Sequence, residues 1–220
     1  MTEATDLQQL TIAVLGGTGP QGRGLARRFA GAGLSVVLGS RSAARAEETA
    51  AALGHGVRGA ANAAAAAEGD IVVVAVPWDG HADLLRELAG VLDGKVVVDC
   101  VNPLGFDKQG AFALPVPEGS AAQQAAALLP GARVTGAFHH VSAVVLEDPE
   151  VERVDLDVLV VGDDRDATDL VRALADAVPG MRGVFAGRLR NAHQVEALTA
   201  NLISVNRRYK THAGVRVTGL

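Results

Sequence analysis

Aromatic residues are scarce in this chain, making up 3% of its 220 positions with one Trp, one Tyr and five Phe. A core of any size must therefore be aliphatic. Cysteine occurs once, as Cys100, which excludes an intramolecular disulfide framework and any thiolate metal cluster and suits a reducing compartment. Positive charge is not in excess: 20 Lys and Arg against 25 Asp and Glu leave a formal charge of −5. No global basic field exists to hold nucleic acid or an anionic membrane, so anion recognition has to be local. The longest aliphatic run, Ile71–Val76, is far short of the roughly 20 residues that span a bilayer. The leading residues, MTEATDLQQL, are polar and acidic, unlike a signal peptide, and are expected to fray. A cytoplasmic protein without metal, membrane or nucleic-acid partners is expected.

What the sequence does contain is 49% apolar residues and 26 glycines, arranged as short β-branched runs alternating with longer Ala-, Leu- and Arg-rich stretches. That alternation is the mark of βαβ units. The runs Thr11–Leu15, Leu34–Gly39, Ile71–Val76, Lys95–Cys100 and Arg133–Ala137 read as strands buried on both faces of a parallel sheet. Helices are expected over Arg23–Ala32, Ala43–Leu53, Ala82–Leu92 and Ser120–Leu129, with the connection Val101–Gly119 read as irregular. Beyond the acidic segment Glu147–Asp155 a second unit follows: strand Asp157–Val161, helix Ala167–Val178, strand Gly183–Ala186 and a long helix Asn191–Asn206. The fold class is α/β, a Rossmann-type doubly wound parallel sheet over 1–140 with a smaller C-terminal α/β domain over 141–220.

The strongest motif follows the first strand and opens a helix: Gly17-x-Gly19-x-x-Gly22 within GGTGPQGRG. Glycines there let the backbone approach a pyrophosphate, and the free N–H groups at the helix start bind it with help from the helix dipole. Pro20 has no N–H, so the donors fall to neighbours such as Thr18, Gly19 and Gln21. At the end of the second strand an NAD-binding chain places Asp or Glu on the adenosine ribose. Ser40 stands there instead, followed by Arg41 and Arg45, a pattern that accepts a 2′-phosphate and favours NADP(H). The plainer reading leaves the two arginines as solvated helix residues paired with Glu47 or Glu48. Val76, Pro77 and Trp78 follow the strand Ile71–Val76 at the carboxyl edge where open α/β sheets bind ligands. Trp78 serves there as a packing residue, a ligand contact, or both.

GGTGPQG, GSRSAAR, AVPW, AFHHVSA and GRLRNAHQVEALT, in this order and spacing, resemble the NADPH-dependent F420 reductases over nearly the whole chain. The resemblance implies a homodimeric enzyme that moves hydride between nicotinamide C4 of NADP(H) and C5 of the deazaflavin coenzyme F420. It implies that Gly17, Thr18, Gly19, Pro20, Gln21 and Gly22 hold the pyrophosphate and Ser40, Arg41 and Arg45 the 2′-phosphate. Val76, Pro77 and Trp78 would border the nicotinamide, while His139, Val141 and Ser142 would lie near the deazaflavin, with His139 the candidate catalytic residue. Adjacent residues on a strand point to opposite faces, so one of His139 and His140 is expected in the cleft. His55, His81 and His212 have no visible partners in the sequence. The basic run Arg207-Arg208-Tyr209-Lys210 reads as a solvated face or as a contact for the anionic tail of the deazaflavin. Two other readings stand beside this one: an NADP-dependent reductase of another small substrate, such as an imine or 3-hydroxy acid, and a non-enzymatic NADP sensor. The first normally adds a helical domain with a catalytic lysine, whereas only 80 residues follow residue 140 and Lys210 is the one lysine among them.

Overall fold

A computed structural model describes residues 7–220. Eight strands form one sheet in the order β10-β9-β8-β5-β4-β1-β2-β3. They are β1 (Thr11–Leu15), β2 (Ser35–Ser40), β3 (Arg58–Ala61), β4 (Ile71–Val74), β5 (Val96–Asp99), β8 (Arg133–Gly136), β9 (Leu156–Gly162) and β10 (Met181–Gly187). All neighbours run parallel except β8 and β9, which pair antiparallel, so the expected all-parallel sheet is in fact mixed. A separate hairpin joins β6 (Leu104–Asp107) to β7 (Gly110–Ala113).

The helices are α1 (Pro20–Gly31), α2 (Ala43–Leu53), α3 (Asn62–Glu68), α4 (His81–Leu92), α5 (Ala121–Leu128), α6 (Ala143–Glu147), α7 (Arg165–Asp176) and α8 (Ala192–Tyr209). Side chains alternate across the strands and divide the interior into two cores. Ile12, Val14, Leu38, Val73 and Val98 pack with Leu25 and Phe29 of α1 and Val171 and Leu174 of α7. Ala13, Leu15, Val72, Val74 and Val97 pack with α3, α4, α5 and the start of α8 through Ala65, Leu85, Leu88, Ala125 and Val195. Each fully buried Leu, Val or Phe stabilises by about 1.5–3 kcal/mol relative to exposure, which is how a core with so few aromatic residues suffices.

The division expected near residue 140 falls in the turn between β8 and α6. Sheet hydrogen bonding crosses it, with Thr135 opposite Gly162 and Gly136 opposite Val161, so residues 141–220 extend the first sheet. Two elements lie where no strand was expected. The edge strand β3, rich in Gly and Ala, has little intrinsic strand preference and forms by pairing with β2. Its Gly59 lies against α2 so closely that a Cβ would sit 2.3 Å from Glu47 N. The β6–β7 hairpin occupies the connection read as irregular, its turn set by Asp107, whose carboxylate accepts the N–H groups of Gln109 and Gly110. Leu7–Gln9 form a 3-10 turn rather than a frayed lead; the remainder of that expectation concerns residues 1–6, outside the described range.

β1 lies between β2 and β4, and their helical connections leave on opposite faces. The carboxyl ends of β1 and β4 therefore open into the crevice that this topology reserves for ligands.

Candidate active site

The loop after β1 is held tight by its glycines. Gly16 has a φ of +72°, and a Cβ on it would lie 2.5 Å from the carbonyl oxygen of Ala75 at the end of β4. Gly22 rests on the same turn, where a Cβ would be 2.8 Å from the Gly16 carbonyl oxygen. Gly24 serves packing instead, since a Cβ there would meet Leu146 of α6 at 2.5 Å. The Gly19 N–H donates to Gly16 O at 3.0 Å, which removes it from the expected anion donors. The amides of Thr18, Gln21 and Gly22 make no protein hydrogen bond among the described residues and head α1, where Pro20 occupies the first turn. This donor set fits an anion such as a pyrophosphate.

At the end of β2, Ser40 is buried and its hydroxyl accepts the Ser42 N–H at 3.3 Å, while Ser42 caps α2 by accepting from Arg45 N. Arg41 and Arg45 are exposed, and among the described residues neither forms an ion pair with a carboxylate. The pairing with Glu47 or Glu48 is thus not formed, and both arginines follow Ser40 at the exposed start of α2.

A cleft of about 360 Å³ brings Gln21, Val76, Pro77, Trp78, His139, Val141 and Ser142 together. Gly17, Thr18, Gly19, Pro20, Gly22, Ser40, Arg41 and Arg45 lie outside it, on the adjoining loops. Both His139 and His140 line it, contrary to the expectation of one. The reason is local: β8 ends at Gly136, and Phe138 takes a left-handed φ of +63°, so strand alternation has stopped before the histidines. A bulky residue in that conformation is strained and must be held by its surroundings. Phe138 packs edge-to-face on Phe29 at 5.7 Å, and its carbonyl accepts Gln21 Nε2 at 3.2 Å.

The His139 carbonyl accepts Asn102 Nδ2 at 2.8 Å and the Thr199 hydroxyl at 2.9 Å. The residue is 3% exposed, and neither ring nitrogen has a partner among the described residues. Burial pushes its pKa down to about 4, outweighing Asp99, so the ring is neutral at pH 7 with one N–H and one lone pair to offer. His140 is also held near 4 by burial; its Nε2 accepts the Leu159 N–H at 3.3 Å and its Nδ1 has no partner among the described residues. Cys100 is not a nucleophile here, because burial and Asp99 raise its pKa and its thiol donates to Val74 O.

A family model described as NADP oxidoreductase, coenzyme F420-dependent, matches residues 11–103. The chain is 39% identical to the F420-dependent NADP reductase of Methanothermobacter thermautotrophicus over 96% of each chain. It is 36% identical to that of Methanocaldococcus jannaschii, covering 96% of this chain and 99% of the other. It belongs to the F420-dependent NADP reductase family. Among solved structures, a candidate F420-dependent NADP-reductase from Arthrobacter sp. FB24 superposes with a TM-score of 0.80 at 27% identity, over 95% of this chain and 99% of that one.

The structure adds residues to this reductase-family site that the sequence did not mark. Asn102, Thr199, Leu202, Ile203, Asn206 and Ala213 line the cleft, which makes α8 and the C-terminal segment one of its walls. His212 has a partner after all, the Ser142 hydroxyl at 3.3 Å. His193 instead lines a separate groove beside Pro103 and Glu196. Arg207 and Arg208 are exposed beside Ile203 in a groove formed with the β6–β7 hairpin, and Ile203 also borders the main cleft. Among the described residues, no helix is long and apolar enough to cross a membrane, and no group of three or more His, Cys, Asp or Glu is placed to hold a metal ion.

Proposed function

We propose that the chain reversibly transfers a hydride between NADP(H) and the deazaflavin coenzyme F420. The observation that carries this reading is the meeting, in one cleft at the carboxyl ends of β1 and β4, of Gln21 at the head of α1, the Pro77–Trp78 edge and the His139–Ser142 turn, with the rest of the pyrophosphate loop adjoining it. Family membership gives the two coenzymes, and they supply the hydride donor and acceptor.

The chain's task is positioning. The amides of Thr18, Gln21 and Gly22 hold the pyrophosphate, and Arg41 and Arg45 with the Ser40 hydroxyl hold the 2′-phosphate. Val76, Pro77 and Trp78 form the wall against which the nicotinamide lies. His139, Val141 and Ser142 form the deazaflavin side of the cleft, where the buried, neutral His139 ring adds a fixed dipole in a dry site. Holding the two reacting carbons at near-attack distance removes most of the entropic part of the barrier. A proton from water completes the reduced deazaflavin.

Residues 141–220 form the closing half of the site around the deazaflavin, and Arg207 and Arg208 on α8 would hold its anionic tail. The protein acts in the cytoplasm as a homodimer. The exposed Phe106 and Phe112 of the hairpin offer apolar surface for a second copy. Loss of deazaflavin absorbance on mixing with NADPH, compared with NADH, tests the reading: rapid bleaching with NADPH alone is expected, and NADPH binding without bleaching favours the sensor or another substrate.

A further inference from the structure

Directly behind Trp78 lies a buried pair. His81 and Asp99 are both 0% exposed, and His81 Nε2 meets Asp99 Oδ2 at 2.5 Å. The other ring nitrogen, Nδ1, donates to Gln124 Oε1 at 3.0 Å, so the Asp99 side receives the second proton when the ring is a cation. Trp78 covers this imidazole, with ring centroids 5.4 Å apart and planes tilted by 31°. Asp99 also reaches the opposite wall of the cleft: its Oδ1 accepts the N–H of Val101, between Cys100 and Asn102, which line the cleft with Val101. Its carbonyl accepts Ala137 N at 3.0 Å, at the start of the turn that carries His139. One buried pair thus touches three segments of the site without entering it.

We propose that His81 and Asp99 are positioning residues: the imidazole seats Trp78 against the nicotinamide side of the cleft, while Asp99 ties that seat to the Cys100–Asn102 wall and to the His139 turn. The charged and polar groups facing the ring come from three elements: Asp99 on β5, the Gln124 amide on α5, which Glu118 accepts from at 3.3 Å, and Glu196 on α8. Burial alone disfavours the His81 cation, but Asp99, Gln124 and Glu196 together outweigh it and raise the pKa. Glu196, pushed up to about 7 by its own burial, holds the N–H groups of Ala121 and Ala122 at the head of α5. The raised value means that the pair's contribution is complete below pH 6.5 and is lost as pH rises through the folded-state pKa.

The role in catalysis rests on the hydride-transfer reading, but the seat itself can be tested without either coenzyme, because Trp78 is the only tryptophan. An imidazolium in contact with indole quenches its fluorescence, and a neutral imidazole does so far less. In the full-length protein, Trp78 emission should rise with pH with a midpoint above 6.5. His81→Gln should abolish that rise, and Asp99→Asn should lower the midpoint by about one pH unit or more. A transition that survives His81→Gln, or a wild-type chain with none, overturns the seat. In steady-state kinetics, His81→Ala should raise KM for NADPH and lower kcat, each by about tenfold, with His81→Gln recovering most of the loss through its hydrogen bond to Asp99. A folded His81→Ala enzyme with wild-type kcat and KM overturns the positioning role while leaving the hydride-transfer reading intact.

Discussion

Gly22 sits so close beneath Gly16 that a Cβ on it would lie 2.8 Å from the Gly16 carbonyl oxygen. Backbone, not a flexible side chain, occupies that space, so the loop must shift to admit a methyl group. Gly22→Ala is therefore expected to weaken NADPH binding by about tenfold or more and to destabilise the fold by about 1–3 kcal/mol. Isothermal titration and thermal unfolding check both. An alanine variant with unchanged NADPH affinity would show that the loop does not hold the pyrophosphate.

Among the described residues Arg41 and Arg45 have no carboxylate partner, so their charge is available to a ligand. With each charge-assisted contact worth about 1.5–3 kcal/mol, Arg41→Gln combined with Arg45→Gln should raise KM for NADPH by about 100-fold or more. KM for NADH, which has no 2′-phosphate, should change little. Equal losses for both nucleotides would contradict the assignment.

His139 and His140 are both neutral in the fold, with pKa values held down to about 4 by burial. In the unfolded chain each takes up a proton near pH 6.5. Between those values the unfolded state binds more protons, so stability falls as the solution is acidified from pH 6.5 towards 4. The cost is on the order of 1–3 kcal/mol per histidine. Melting temperatures measured across this range should drop for the wild type, and less steeply for His140→Gln. An unchanged slope would mean that the ring is not buried as described.

Asp157 has the opposite sign. Its fully buried carboxylate accepts hydrogen bonds from Arg182, Arg216 and Val217 N, clasping the C-terminal segment to β9. Arg182 leads in holding its pKa below the usual carboxylate range. The stabilisation is present above the unfolded value of about 4 and is lost as pH falls through the lowered one. Asp157→Asn should reduce stability by about 2 kcal/mol at neutral pH and free the tail to proteolysis near Val217. Equal protease resistance in the two proteins would dismiss the clasp.

The parts of this architecture that were legible in the sequence are those with local causes. The apolar runs gave β1, β4, β5 and β8 their places, and the glycine spacing placed the ligand loop, because one strand, one turn and one helix start carry that whole signal. β3 and the β6–β7 hairpin were not legible, because these four-residue strands, with Gly and Ala prominent in β3 and β7, owe their form to neighbours rather than to propensity. The two histidines were misjudged because the rule of strand alternation was applied beyond Gly136, past a left-handed Phe138 that no local pattern announces. The His81–Asp99 pair joins residues 18 positions apart, and only the adjacency of β4 and β5 brings them together. The contribution of α8 to the cleft through Thr199, Leu202 and Asn206 is likewise a product of tertiary packing.

Direct hydride transfer in one cleft is best tested by isotope tracing. NADPH deuterated at C4, supplied separately in its two stereochemical forms, is mixed with oxidised F420 in ordinary water, and the reduced deazaflavin is analysed by mass spectrometry. One form should deliver a single deuterium to the deazaflavin and the other none, with no wash-out to solvent. Reduced deazaflavin that carries no deuterium from either form would contradict the account.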